Sequence, residues 1–218
     1  MVPVDERPPL ATRGDLQQVL MGYTFDYDLF LALNFDGGAA MDGFMSFCSA
    51  PAAWAWLHAL ILWLVWRRAG WRGVLLFVAA AALALGLSDM IAGIFKHAGL
   101  LKNLWPSFPA RLRPMHTPEL EGLVHVVREG GRYGTVSAHA ATMTALAVLA
   151  VPSVRRKWFS VLMTSAVLLI CYSRIYLAYH FPIDILLGMA TGLLTGGIAL
   201  AAMRAVAHAL RMPIGIPE

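Results

Sequence analysis

The segment Ser173-Arg174-Ile175-Tyr176-Leu177-Ala178-Tyr179-His180-Phe181-Pro182-Ile183-Asp184 places an arginine, a histidine and a carboxylate between two strongly apolar runs. Ionisable side chains at membrane depth are costly and read as functional by default. An imidazole can attack an electrophilic centre. A carboxylate four residues on, in the first turn of a helix, can accept one imidazole N–H and orient the ring. A guanidinium grips phosphate oxygens through two bonds at once. Together His180, Asp184 and Arg174 are the parts of a nucleophilic site that handles phosphate. Pro182 suits a first helical position, so the last span is expected to begin beside His180. Arg174 lies six residues before His180, a poor fit to one helical face. The chain is expected to turn between them, with Arg174 closing the preceding span.

Two further constellations carry compatible chemistry. Ser137-Ala138-His139 opens an Ala-rich apolar run. Ser137 is a good N-cap, and a helix N-terminus offers N–H groups and positive dipole to a phosphate. His139 in that first turn is placed to protonate a leaving oxygen. Lys96 ends another apolar run, with Asp89 seven residues earlier on the same helical face, and Arg111 and Arg113-Pro114 follow in a polar loop. Asp89 is placed to pair with a site cation. Each group alone has a plainer reading: a snorkelling lysine, a solvated basic loop, a capped helix.

These residues need helices to hold them. Of the 218 residues 59% are hydrophobic and only 14% charged, against about 25% charged in soluble domains. The chain therefore reads as an all-α, polytopic transmembrane helix bundle. Apolar runs at 52–66, 73–95, 137–151, 158–172 and 181–203 predict five spans, with a sixth left open. Residues 15–47 carry Asp26, Asp28, Asp36 and Asp42 among apolar residues and predict interfacial or re-entrant helical pieces. Residues 1–14 read as a polar tail, 15–212 as one membrane-embedded domain and 213–218 as a C-terminal tail. No cleavable signal peptide is expected. Cys48 and Cys171 sit in apolar runs and read as small buried hydrophobes, not a disulfide or metal site.

Basic residues cluster at Arg67, Arg68 and Arg72, at Arg155, Arg156 and Lys157, and at Arg204 and Arg211. With five spans these clusters share one side, cytoplasmic by the positive-inside rule. The loop 99–136 and the turn at His180 then face outward. The clusters adjoin apolar runs, which fits membrane anchoring and argues against nucleic-acid binding.

The order Lys…Arg-Pro, Ser-x-His, Ser-Arg-x5-His-x3-Asp resembles the type-2 phosphatidic acid phosphatase family of integral membrane lipid phosphatases. The resemblance covers about residues 89–188. The third motif matches in full. In the second, Val136 and Ala138 stand where the family has proline and glycine. Lys96 lies further from Arg113 than the family's spacing, which implies an insertion within 97–109 and makes Lys102 a rival for the lysine role.

The resemblance implies a phosphatase without metal or other cofactor. In it His180 would form a phosphohistidine, Asp184 would orient His180, and His139 would protonate the leaving group. Lys96, Arg113, Arg174, Ser137 and the backbone at Ala138 would hold the phosphate oxygens, with Asp89 and Arg111 in support. It also implies a phosphorylated membrane lipid as substrate: undecaprenyl diphosphate, phosphatidylglycerol phosphate or a lipid A phosphate. The setting it implies is a bacterial inner membrane with the site toward the periplasm. The rival readings are a vanadate-dependent haloperoxidase-like enzyme and a non-catalytic membrane protein that binds lipid or assists transport. Nothing in the chain speaks to its oligomeric state.

Overall fold

The computed structural model describes residues 25–96 and 111–212. The expected tails at 1–14 and 213–218 and the expected insertion with Lys102 lie outside these residues. The elements are α1 (25–33), α2 (Gly38–Ser49), α3 (Ala55–Lys96), α4 (Ala138–Val154), α5 (Lys157–Tyr176) and α6 (Pro182–Ala209). Short 3₁₀ turns at Pro51–Trp54, Pro114–His116 and Pro118–Leu120 each begin on a proline, whose fixed φ suits a first helical position. Among the described residues the chain is a helical bundle whose only β pairing is one isolated bridge, Leu112 with Tyr133.

A straight helix of 42 residues would run roughly 63 Å, about twice the hydrocarbon thickness of a bilayer. α3 avoids this at Gly70, where φ is 64° and ψ is −171°. That conformation is open to glycine and strained for other residues. The chain reverses there, because His58 on the first arm lines one cavity with Leu85 and Asp89 on the second. The two arms with α4, α5 and α6 make five crossings, as the apolar runs predict.

The ends of the spans differ from the runs. α4 passes through Pro152 to Val154, three residues beyond the apolar run that ends at 151. Proline in a last turn costs one backbone bond, and the turn is closed in other ways. Ser153 Oγ donates to Leu149 O at 2.7 Å, and Arg155 takes a left-handed conformation as the C-cap. α5 continues past residue 172 to Tyr176, and α6 past 203 to Ala209. The N-terminal pieces are the short helices α1 and α2, as expected of interfacial segments.

α4 and α6 pack backbone against backbone. Gly188, Gly192 and Gly196 recur every four residues and form one stripe on α6. A Cβ on Gly188 would lie 2.5 Å from Ser137 O, and one on Gly192 2.3 Å from Ala141 O. Small residues at this spacing let transmembrane helices approach closely. Ser88 and Thr195 share a 2.6 Å hydroxyl bond that ties the second arm of α3 to α6. Leu57, Ile61, Phe77, Leu146, Leu149, Phe159, Met163 and Met203 fill the space between helices. Cys48 and Cys171 are buried free thiols, as expected. The outward faces of α3 and α6 carry exposed Leu75, Val78, Leu83, Leu186, Leu193 and Leu194. Such a surface suits lipid rather than water.

The basic turns meet at one end. Arg67 and Arg68 line a cavity with Arg155 and Arg156, and Arg72 lines another with Arg211. His180, at the junction of α5 and α6, lies at the opposite end.

Candidate active site

The turn from α5 to α6 builds the centre of the site. Arg174 closes α5, and its carbonyl accepts from the backbone N–H of both Tyr179 (3.0 Å) and His180 (3.2 Å). Ala178 takes φ 57° to make the turn. Arg174 and His180, six residues apart, are thereby bound at the backbone, as the spacing required. His180 is 1% exposed and Asp184 fully buried.

His180 Nδ1 lies 3.3 Å from Gly134 O and 3.6 Å from Asp184 Oδ2. A carbonyl only accepts, so Nδ1 carries the proton and the lone pair sits on Nε2. The orienting role expected of Asp184 alone is thus shared with a loop carbonyl. Asp184 holds its place through four further bonds. Its Oδ2 accepts from Phe181 N at 3.0 Å, and its carbonyl accepts from Ser137 N at 3.1 Å, joining the second and third motifs. Its Oδ1 accepts from Arg111 Nη1 at 3.1 Å, and its own N–H donates to Phe181 O.

Arg111 is not aimed at a ligand. Its second nitrogen donates to Asp26 Oδ2, and its guanidinium lies 4.1 Å from the Phe181 ring centroid. Asp26 Oδ1 also accepts from Ile183 N at 3.0 Å, so it satisfies one of the orphan N–H groups that open α6. Arg111 is therefore a clamp that fixes Asp184 to α1. Tyr27 and Phe30 of α1 pack on Phe181, at 4.9 Å stacked and 5.3 Å edge-on.

Arg113 is placed differently. The bridge between Leu112 and Tyr133 brings 111–113 alongside 132–134, with Arg113 N donating to Arg132 O and Gly134 N to Arg111 O. Arg113 Nε donates to Tyr133 O at 3.1 Å. A Cβ on Gly134 would come within 2.8 Å of Arg113 Cγ and 3.2 Å of His180 Cε1. Glycine therefore lets the loop, the arginine and the histidine converge. Burial pulls the Arg113 guanidinium below its ordinary pKa, while Tyr179 and Asp184 hold it up.

Arg113 and Arg174 meet at Tyr179, with guanidinium carbons 5.5 Å and 4.2 Å from its ring centroid. Arg174 is buried and donates to Ser49 Oγ, while its Nε has no hydrogen-bond partner among the described residues. Neither arginine forms an ion pair with a described carboxylate. Thr135 Oγ1 is likewise buried without a partner among the described residues. A buried and a half-buried guanidinium of like charge, with spare donors, can form a cradle for an anion.

Ser137 caps α4 as expected, its Oγ accepting from Ala140 N at 3.4 Å. Ala138 and His139 follow in the first turn and line a cavity of about 270 Å³ with Ser49, Trp54, His58 and Asp89. The cavity continues over apolar Leu85, Met143, Leu146 and Ile170. Asp89 is exposed, pairs with no cation among the described residues, and shares this cavity with His139. Lys96 ends α3 as read, while its side chain and Lys102 lie outside the description. Asp36, Asp42 and His125 are grouped closely enough for a metal ion. Asp42 Oδ1, however, already accepts from Tyr176 OH (2.6 Å) and His125 Nε2 (2.8 Å).

Spacing alone missed Asp26, Ser49, Gly134, Thr135 and the platform role of Tyr179. Asp26 carried a signal, as an acid inside an apolar stretch that becomes 4% exposed.

The family model of the PAP2 superfamily matches residues 83–207. A lipid A 4'-phosphatase of Porphyromonas gingivalis is 32% identical over 171 residues, covering 78% of this chain and 69% of its own. A lipid A 4'-phosphatase of Bacteroides thetaiotaomicron is 29% identical over 177 residues, covering 79% and 75%. The crystal structure of Aquifex aeolicus LpxE superposes with a TM-score of 0.61 over 80% of this chain and 94% of that one, at 21% identity, which shows a shared fold.

The clamp makes a testable demand. Arg111→Met leaves Asp184 and Asp26 buried without their cation, which should destabilise the protein on the order of 3–5 kcal/mol. The readout is the thermal midpoint in detergent. Arg111→Lys should recover part of the midpoint and little of kcat, because an ammonium lacks the two-pronged fork. An unchanged midpoint for Arg111→Met would contradict the clamp.

Proposed function

The chain belongs to the PAP2 superfamily and is a membrane lipid phosphatase, and from that premise we propose that it removes a terminal phosphate from a lipid A-type glycolipid through a phosphohistidine on His180. The observation that carries the reading is the pair Arg113 and Arg174 converging on Tyr179, the residue before His180, with neither in an ion pair with a described carboxylate. A tetrahedral phosphate supplies the missing charge and oxygens.

The substrate phosphate sits between the two guanidiniums, with Ser137, the N–H groups opening α4, Thr135 and Lys96 completing the oxygen contacts. His180 Nε2 attacks phosphorus, and the P–O bond to the lipid breaks. Gly134 O and Asp184 hold the Nδ1 proton and stabilise the cationic ring that forms. His139 gives its proton to the departing lipid oxygen. Water, deprotonated by the same His139, then cleaves the N–P bond and releases inorganic phosphate. The guanidinium pair is preorganised for the charge that spreads over the equatorial oxygens, so it stabilises the transition state most. The largely apolar cavity beside His139 suits the lipid portion of the substrate.

The lipid A assignment rests on the two relatives named for that activity. The cofactor-free chemistry rests on arginines occupying the role that a metal would otherwise fill.

Release of phosphate from lipid A carrying a 4'-phosphate, by purified protein with EDTA present, tests the reaction. His180→Ala should abolish it. His139→Ala should lose far more rate on the lipid than on p-nitrophenyl phosphate, whose leaving group needs little acid help. Equal losses on both substrates, or turnover surviving His180→Ala, would contradict these roles.

We further propose that the site faces the periplasm, supported by eight cations at the opposite end of the bundle: Arg67, Arg68, Arg72, Arg155, Arg156, Lys157, Arg204 and Arg211. In a background without Cys48 and Cys171, Glu121→Cys should react with an impermeant maleimide on intact spheroplasts. Lys157→Cys should not. The reverse pattern would put the chemistry in the cytoplasm.

A further inference from the structure

Ser49 joins two spaces. Its Oγ accepts from Arg174 in the phosphate cradle, and the same residue lines the cavity of about 270 Å³ that His139 lines. A general acid at His139 meets the oxygen that departs with the lipid, so the cavity on its side receives the leaving group. The walls of that cavity change character with depth. Along α4, His139 and Thr142 precede Met143 and Leu146. Along the second arm of α3, Asp89 lies about one turn nearer the site end than Leu85. Polar groups therefore come first, and apolar groups follow.

The polar groups have a definite chemistry. Asp89 is the only acid between Asp42 and Glu119, and it stands two turns before the end of a strongly apolar arm. A carboxylate within a span is costly and marks a functional position. His58, on the first arm, places Nδ1 2.8 Å from Trp54 O. A carbonyl only accepts, so Nδ1 carries a proton and Nε2 is the nitrogen left for a ligand. Thr142 Oγ1 donates to Ala138 O at 2.8 Å, so its remaining capacity is to accept. The phosphate cradle is built of donors, whereas Asp89 and Thr142 bring acceptors to the leaving-group side. Their complement carries hydroxyl or amide N–H groups close to the scissile bond, with acyl chains beyond. A second phosphate in that place would meet Asp89 as a like charge.

We infer that Asp89 and His58 form a subsite that recognises the sugar of the leaving glycolipid and turns away lipid diphosphates. The inference rests on the proposed removal of phosphate from a lipid A-type glycolipid. Asp89 accepts from a sugar hydroxyl or amide N–H, and His58 Nε2 bonds a neighbouring hydroxyl. Neither residue touches phosphorus or moves a proton; they select what is attached to the phosphate. A site that hydrogen-bonds a substrate group discriminates against an analogue that lacks it.

The test compares kcat/KM of the purified protein on lipid A carrying a 4'-phosphate, on phosphatidic acid and on farnesyl diphosphate. Phosphatidic acid has no hydroxyl or amide donor beside its phosphate, and farnesyl diphosphate has a phosphate as leaving group. The wild type should prefer the glycolipid. Asp89→Asn keeps the shape and removes the charge, so it should slow the glycolipid and relieve the repulsion on the diphosphate. The ratio of glycolipid to diphosphate should then fall roughly tenfold, the equivalent of about 1.4 kcal/mol. His58→Phe keeps the ring and removes its nitrogens, and should lower the ratio of glycolipid to phosphatidic acid several-fold. An Asp89 that only balances a site cation, or a His58 that only fills space, would change all three substrates together. Ratios unchanged in both variants, or a wild type without preference for the glycolipid over the diphosphate, would overturn the subsite alone. A wild type that hydrolyses phosphatidic acid or farnesyl diphosphate but not the glycolipid would overturn the glycolipid reading itself, and the subsite with it.

Discussion

Two guanidinium groups of like charge are held against one tyrosine ring at one end of the bundle, and the rest of the site follows from that constraint. Arg113 and Arg174 approach Tyr179 from different elements, a polar loop and the last turn of α5. Burying either cation alone is costly, and burying both together adds their repulsion. Neither forms an ion pair with a described carboxylate, and only the more distant charge of Asp184 supports Arg113. The arrangement is stable as a folded state only because backbone carbonyls and Ser49 take some of the donors. What is left over is an electrostatic demand for an anion with several oxygens. His180 stands beside that demand with its proton fixed on Nδ1. The proposed nucleophile thus adjoins the proposed phosphate cradle.

Holding such a site together is a task for elements far from it in sequence. α1 reaches it through Asp26, which pairs with Arg111 and accepts from the first turn of α6. Asn34, at the end of α1, donates to Tyr176 O and His125 O and accepts from His125 N. It thereby stitches α1 to the end of α5 and to the loop. Behind it, Asp42 accepts from Tyr176 and His125, and the first of these does most to lower its pKa below the ordinary 3.8. Both bonds favour its charged form. The glycine stripe on α6 has a comparable role for the other motif. It brings α4 close enough for Ser137 N to bond Asp184 O, so the start of α4 and the first turn of α6 are tied together at the site.

Much of the site could be read from residue types and order. His180, Asp184 and Arg174 were legible because three ionisable groups between apolar runs are too costly at membrane depth to persist without a task. Ser137 and His139 were legible because a cap and a first-turn residue are defined locally. The five crossings followed from the apolar runs, although the hairpin at Gly70 needed a φ that no run reveals. Other residues were hidden because their meaning depends on a partner. Arg111 reads only as a supporting cation beside Arg113, and the positions of Asp26 and Asp184 turn it into a clamp. Gly134 has no signature in the chain; its value is the space it leaves between Arg113 and His180. Pro152 reads as a stop, yet the last turn absorbs it. The glycines at 188, 192 and 196 did carry a four-residue period, which marks a close helix contact when read on a transmembrane span.

Orthovanadate binding tests the central claim most directly. Vanadate accepts five oxygen or nitrogen ligands and so resembles phosphorus under attack by His180 Nε2. Its stabilisation of the folded protein follows from mass action and reaches about 2.7 kcal/mol at a hundred times its dissociation constant. The thermal midpoint of the wild-type protein should therefore rise with vanadate and, above its dissociation constant, keep climbing with the logarithm of its concentration. In Arg174→Lys, which keeps the charge and loses the planar fork at Tyr179, the rise should be largely lost at the same concentrations. A wild-type midpoint indifferent to vanadate, or an equal rise in Arg174→Lys, would show that the paired guanidiniums do not form the anion cradle.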